Sequence, residues 1–256
     1  MRYPKLFWHG FVVHFKELSA SPFQIMTAAI WPLVFATLAY LMFRAGSGAP
    51  SLLYASLGAA VMGIWSTTAT SAGGAIQRQR WLGLLELLVV APAPFVFVLA
   101  PITVAIAGIG VYSIASTLLW GRLLFGIDVH IASPGLFALA VPATVLAVGM
   151  LGLVLASALI LYRAASAFSQ GLEFPVWLIT GLLVPLSVLP GWVTPIAWAL
   201  APTWGMRAMR HAALGGSVLP ALAMCAVLTV AYGLAAVLLL RYFEQAARRR
   251  ATLSLT

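Results

Sequence analysis

Residues 136–161 read LFALAVPATVLAVGMLGLVLASALIL, from Leu136 to Leu161, without one charged side chain. The run exceeds the ~20 apolar residues that carry a helix across a bilayer. It does not alternate with period two, so it reads as a helix and not as a strand of a barrel. Five further apolar runs flank it: Ile25–Phe43, Leu52–Ile76, Phe95–Leu119, Phe174–Leu189 and Leu219–Leu240. The chain is therefore expected to be an all-α, polytopic membrane protein with six transmembrane helices. Composition agrees, since 63% of the 256 residues are hydrophobic and 7% are charged, against about 25% charged in soluble domains. Such a surface excludes a soluble enzyme, a disordered protein and a DNA-binding domain. The net charge of +9 then reports loop charges, and no nucleic-acid partner is expected.

The basic residues orient the chain. With six spans, one side holds Arg2, Lys5, Lys16, Arg78, Arg80, Arg163, Arg241 and Arg248, Arg249 and Arg250. The other holds Arg44, Arg122, Arg207 and Arg210. Ten against four places both termini in the cytoplasm by the positive-inside rule. The chain reads as one domain over residues 1–256, with an interfacial segment at 1–22, spans within 25–240 and a basic tail at 241–256. In the first segment Phe7, Phe11, Phe15 and Leu18 form a stripe, while Lys5, His9 and Lys16 lie elsewhere around the wheel. That pattern predicts an amphipathic helix lying in the interface, not a cleavable signal. Ser21-Pro22 marks the turn before span one. Cys225 is the only cysteine, so no intrachain disulfide or thiolate metal cluster can form.

Two connecting regions carry more than linkage. Residues 77–88, QRQRWLGLLELL, open with four polar residues, continue as a short helix with one acid, Glu86, and stop at Ala91-Pro92-Ala93-Pro94. Such a helix is placed to receive force from a soluble partner, or to pair Glu86 with a nearby arginine. After span five, Pro185, Pro190, Pro195 and Pro202 interrupt any continuous helix. A broken, partly re-entrant segment is expected there, its freed backbone groups covered by protein or facing a polar cavity. Arg207 and Arg210 follow it, three apart and on one face if helical. Trp120, Trp192, Trp198 and Trp204 fall near outer span ends, as interfacial anchors or as contacts for an amphiphile.

Chemistry of other kinds finds little support. No HExxH zinc site or GxSxG nucleophile elbow occurs, and Asp128-Val129-His130 reads as loop surface, so no catalytic, metal or cofactor residues are assigned. The only lysines are Lys5 and Lys16; neither follows a phosphate-binding loop, so no ATP site of that type is encoded. A gradient-driven secondary transporter would carry ionisable groups inside its spans, and the six spans as drawn contain none. A membrane scaffold without transport stays open on composition alone.

Three groups of residues resemble the permease subunit of bacterial ABC-2 type exporters, in the drug-resistance and polysaccharide or lipid export branch. They are Arg80-Trp81-Leu82-Gly83-Leu84-Leu85-Glu86-Leu87-Leu88 before Ala91-Pro92; Phe174-Pro175 with Leu189-Pro190-Gly191-Trp192 and the run Ala201–Arg210; and the tail Arg241-Tyr242-Phe243-Glu244. The resemblance extends over essentially the whole chain. It departs at Trp204-Gly205-Met206-Arg207, where many relatives have an acid before the arginine. It implies a type V exporter-like fold in the bacterial inner membrane, and two permeases, identical or homologous, pairing around a pathway. It implies separate ABC ATPase subunits docked at a coupling helix containing Arg80, Gly83, Glu86 and Leu87. Pro190, Trp192, Pro202, Arg207 and Arg210 would form the outer segment. The cargo would be a small amphiphilic or lipid-linked molecule, with membrane lipids as surroundings. Small residues such as Gly58, Gly63, Gly108, Gly110, Gly149 and Gly152 would allow close helix approach, although no GxxxG occurs.

Overall fold

A computed structural model describes residues 2–22, 25–26, 30, 32–34, 36–37, 40–41, 52–81, 96–126, 129–159, 165–182 and 185–250. Among them every regular element is a helix. They are α1 (Arg2–Ser19), α2 (Leu52–Trp81), α3 (Val96–Ile109), α4 (Val111–Phe125), α5 (Pro134–Leu159), α6 (Ala165–Gly171), α7 (Glu173–Ile179), a 3₁₀ turn (Leu186–Val188), α8 (Val193–Trp198), α9 (Ala201–Leu214) and α10 (Leu219–Arg250). Four stretches among the described residues are long and apolar enough to cross a membrane: Leu52–Ser71, Val96–Phe125, Pro134–Leu159 and Leu219–Tyr242. The expected first span falls largely outside the described residues. Helical residues there lie beside α4, where Trp120 donates to Thr37 Oγ1 at 3.4 Å and Tyr40 stacks on Phe125 at 4.0 Å.

α5 is central and packs against α2, α3, α9 and α10. Met62 and Trp65 of α2, Val148 and Leu151 of α5, Met209 of α9 and Cys225 of α10 share one buried cluster. Leu99, Ile102, Leu153, Ala236 and Leu240 form a second. In lipid the hydrophobic effect gives no net drive between helices, so these contacts hold by close packing. Gly110, between α3 and α4, shows the means: a Cβ there would stand 2.6 Å from the Ile64 Cα of α2. The third cluster collects Leu52, Leu53, Phe125, Val129, Ile131, Phe137 and Ala213, so the ends of α2, α4, α5 and α9 meet at one end of the bundle. Along α10, Val227, Val230, Leu234 and Leu238 are exposed and form a lipid-type surface.

Two expectations meet a different geometry. The N-terminal stripe does not lie across the span ends. Gly10 lies against Pro101, Phe15 against Gly108, and Tyr112 donates to Ser19 at 3.3 Å, so α1 runs alongside α3 in the same direction. The small surfaces of Gly10 and Gly108 admit that approach. Nor is Phe174–Leu189 one helix. α6 and α7 join through Leu172 in helical geometry (φ −77°, ψ −14°), but α7 ends at Ile179 and Gly181 turns at φ 77°. Pro185 (ψ 138°) then fixes extended backbone before the 3₁₀ turn.

Candidate functional site

The depth of the proline-rich segment follows from its neighbours. Near the Pro134 end of α5, the amides of Ala132 and Ser133 donate to the carbonyls of Ala213 and Ala212 at 3.0 and 2.9 Å. Gly205, at the other end of α9, lies against Thr144, ten residues or about 15 Å further along α5. The Tyr232 hydroxyl of α10 donates to the Ala199 carbonyl, and Tyr232 stands about 20 Å along α10 from Leu219. The segment before α9 therefore reaches deep beside the long helices, and α9 climbs back to the Pro134 end. Its backbone groups are answered from nearby: Thr203 Oγ1 donates to Ala197 O and Trp204 Nε1 to Trp198 O, both at 2.7 Å. Pro202 is buried in the first turn of α9, where its missing N–H is harmless. Pro190 and Trp192 are exposed, with the Pro190 carbonyl accepting from Val193 N at 2.9 Å.

Arg207 and Arg210 part company in this setting. Arg207 is half-exposed, its guanidinium 5.2 Å from the Trp204 ring. Arg210, expected beside it, is buried at 4% exposure. Its Nε donates to Tyr54 O at 3.2 Å, and Nη1 and Nη2 to the carbonyls of Gly181 and Leu182 at 3.4 Å. The guanidinium also lies 3.4 Å from the Tyr54 ring centre. No carboxylate among the described residues pairs with it. A buried unpaired cation would cost several kcal/mol; three carbonyl dipoles and an aromatic face replace the counter-ion. Two of those carbonyls are free because α7 has just ended, and the negative end of a helix favours a cation. Gly58 makes the room, since a Cβ on it would stand 2.6 Å from Arg210 Nη2.

Arg210 also lines a cavity of about 230 Å³, with Tyr54, Leu186, Ser187, Arg207 and His211. The His211 Nδ1 is bonded to Ser217 O at 2.8 Å. Arg207 and His211 are four residues apart on one face of α9 and flank Arg210 along it, Arg207 on the deeper side.

A second polar site lies further down. Ser66 of α2 donates to the Glu173 carboxylate at the start of α7. Ser66 falls inside the membrane-length stretch Leu52–Ser71, so an acid outside the six spans as drawn still meets a hydroxyl within one of them. The sequence reading began span five at Phe174 and passed over the acid one residue before it. A lone carboxylate bordering an apolar run was the available signal. Near this pair the Trp65 Nε1 and the Ser169 hydroxyl are buried without a hydrogen-bond partner.

The opposite end of α2 bears on the expected coupling region. The helix continues unbroken to Trp81 over 30 residues, about 45 Å, against a hydrocarbon core of about 30 Å. Arg78 and Arg80 thus sit on its last turns, beyond the apolar run that the sequence carries to Ile76. Gly83, Glu86 and Leu87 lie outside the described residues, as does Asp128.

One family model, described as ABC-2 type transporter, matches residues 5–214. No curated protein matches the chain.

Proposed function

The chain belongs to the ABC-2 type transporter family, and on that premise we propose that it exports an amphiphile across a bacterial inner membrane. Family membership makes it a membrane permease component of an ABC transporter, working with separate ABC ATPase subunits. The chain encodes no lysine-bearing phosphate loop, which suits a motor on another polypeptide. That match over residues 5–214 is the observation that carries the reading.

In the proposal two permeases, identical or homologous, face each other, with both termini cytoplasmic. The Trp81 end of α2 then meets the ATPase, through Arg80, Gly83, Glu86 and Leu87. The Pro134 end faces outward, and the segment from Pro190 through Trp192 and Pro202 to Arg210 borders the pathway. Supporting this, the segment runs beside α5 and α10 with irregular backbone, as cavity-lining segments do at membrane depth. The cargo is a small amphiphilic or lipid-linked molecule, consistent with mostly apolar walls.

Glu173 gives a second reading some footing, because an intramembrane acid is a common device for gradient-driven transport. Reconstitution separates the two. The permease and the ATPase encoded beside its gene, placed together in proteoliposomes, should move a fluorescent amphiphile only with hydrolysable ATP. Equal transport with a hydrolysis-dead ATPase and an imposed proton gradient would favour the second reading.

A further inference from the structure

We propose that the cavity beside Arg210 binds the phosphate group of an amphiphile lying in the outer leaflet. This deepens the export reading and rests on it only for the step from binding to transport.

The chemistry begins at Arg210. A guanidinium has five N–H donors, and Arg210 directs three at backbone carbonyls and lies against Tyr54, so at most two are left for another acceptor. Its charge has no carboxylate partner among the described residues. Arg207 brings a second guanidinium to the cavity wall, while the His211 ring is held in place by its Nδ1–H donating to Ser217 O and is not counted among the phosphate donors. Two guanidinium groups lining 230 Å³ suit a compact oxyanion with several acceptor atoms, and planar guanidinium forks favour phosphate.

Position and surroundings supply the rest of the ligand. Tyr54 is two residues from the start of α2 and Arg210 four from the end of α9, so the cavity lies roughly 3–6 Å inside the bundle end. That is headgroup level. From the rim residues Leu186 and Ser187 the chain runs down through Val188, Trp192, Ile196 and Trp198, exposed by 71%, 68%, 44% and 49%. It reaches Ala199 deep beside Tyr232. A cationic cup thus opens onto an apolar ledge that descends toward the bilayer centre. An amphiphile with a phosphate head and a hydrocarbon tail fits both parts at once.

The test needs neither ATPase nor nucleotide, so its failure is distinct from failure of the export reading. The full chain in neutral detergent is titrated with short-chain phosphatidylglycerol, with the matching diacylglycerol and with inorganic phosphate, and bound ligand is counted by native mass spectrometry. Phosphatidylglycerol should bind at least about tenfold more tightly than diacylglycerol, as charge-assisted phosphate contacts require. Arg207→Glu should remove most of that difference and Arg207→Gln part of it. Arg122→Glu, an exposed change at the same end on α4, should leave it within about twofold. Displacement of the lipid by inorganic phosphate would show a cup that takes phosphate from any carrier, and no displacement one that needs the tail; both support the assignment. Equal binding of diacylglycerol, or equal loss with Arg122→Glu and Arg207→Glu, would overturn it. Arg207 is half-exposed, so its variants should fold; unchanged circular dichroism melting confirms each.

Discussion

Arg210 bridges chain segments, while Arg207 is the ligand-facing arginine of the proposed phosphate site, and the two should respond differently to substitution. Removing Arg210 takes the donor from three carbonyls and the cation from the Tyr54 ring. Arg210→Ala should cost about 1–3 kcal/mol, the range for leaving buried acceptors unsatisfied, and lower the melting temperature of the detergent-solubilised protein. Arg210→Lys should recover little, since a single ammonium cannot serve three divergent acceptors. Gly58→Val should destabilise by displacing the same guanidinium, and the double variant with Arg210→Ala should cost less than the sum, because both strike one contact. By contrast Arg207→Ala should lower transport without lowering the melting temperature, and a tail change such as Arg249→Ala should do neither. Matched transport in all three alanine variants would reduce Arg207 and Arg210 to headgroup contacts. Their spacing in the sequence placed both arginines on one helical face. It could not show that Tyr54, 156 positions away, takes one of them inside. Glu173 escaped for a related reason: hydropathy marks where an apolar run begins, not that Ser66 of another helix will meet the acid at its edge.

Prolines and glycines were the most legible features among the elements. Pro185, Pro190, Pro195 and Pro202 foretold broken helix after Phe174–Leu189, and the break comes earlier, at the end of α7, with Gly181 in a left-handed turn. The depth to which the broken segment descends came only from tertiary contacts with α5 and α10. Likewise the stripe on α1 was readable, but its covering by α3 was not, because a stripe suits lipid and a neighbouring helix equally well. α2 raises the sharpest test at this scale. Its length carries Arg78 and Arg80 past the apolar layer as helix, so Arg78→Cys should react with a charged thiol reagent in water while Ser66→Cys should not. Equal labelling would mean that α2 does not stand upright in the bilayer. Just beyond it, Glu86 is expected to meet the ATPase. A carboxylate in a dry contact needs a donor, so Glu86→Ala should still insert but co-purify poorly with its ATPase or fail to stimulate hydrolysis. Normal assembly and stimulation would assign Glu86 to a local pair.

For the whole molecule the decisive quantity is the side on which each end lies. The ten-to-four division of basic residues requires that reporters fused at Thr256 and inserted near Gly48 signal opposite compartments. A signal from outside at Thr256 would end the six-span topology. The seat of Arg210 also has a history in the cell. The chain is threaded into the bilayer from its beginning, so Tyr54 arrives long before Gly181, Leu182 and Arg210 itself. Until all have been released and brought together, the guanidinium has no resting place in the lipid and stays at the water boundary. Its burial therefore marks completed assembly: a half-built permease would hold the Arg210 charge in water, where a finished one seats it against three carbonyls and the Tyr54 ring, a difference by which membrane proteases could sort the two.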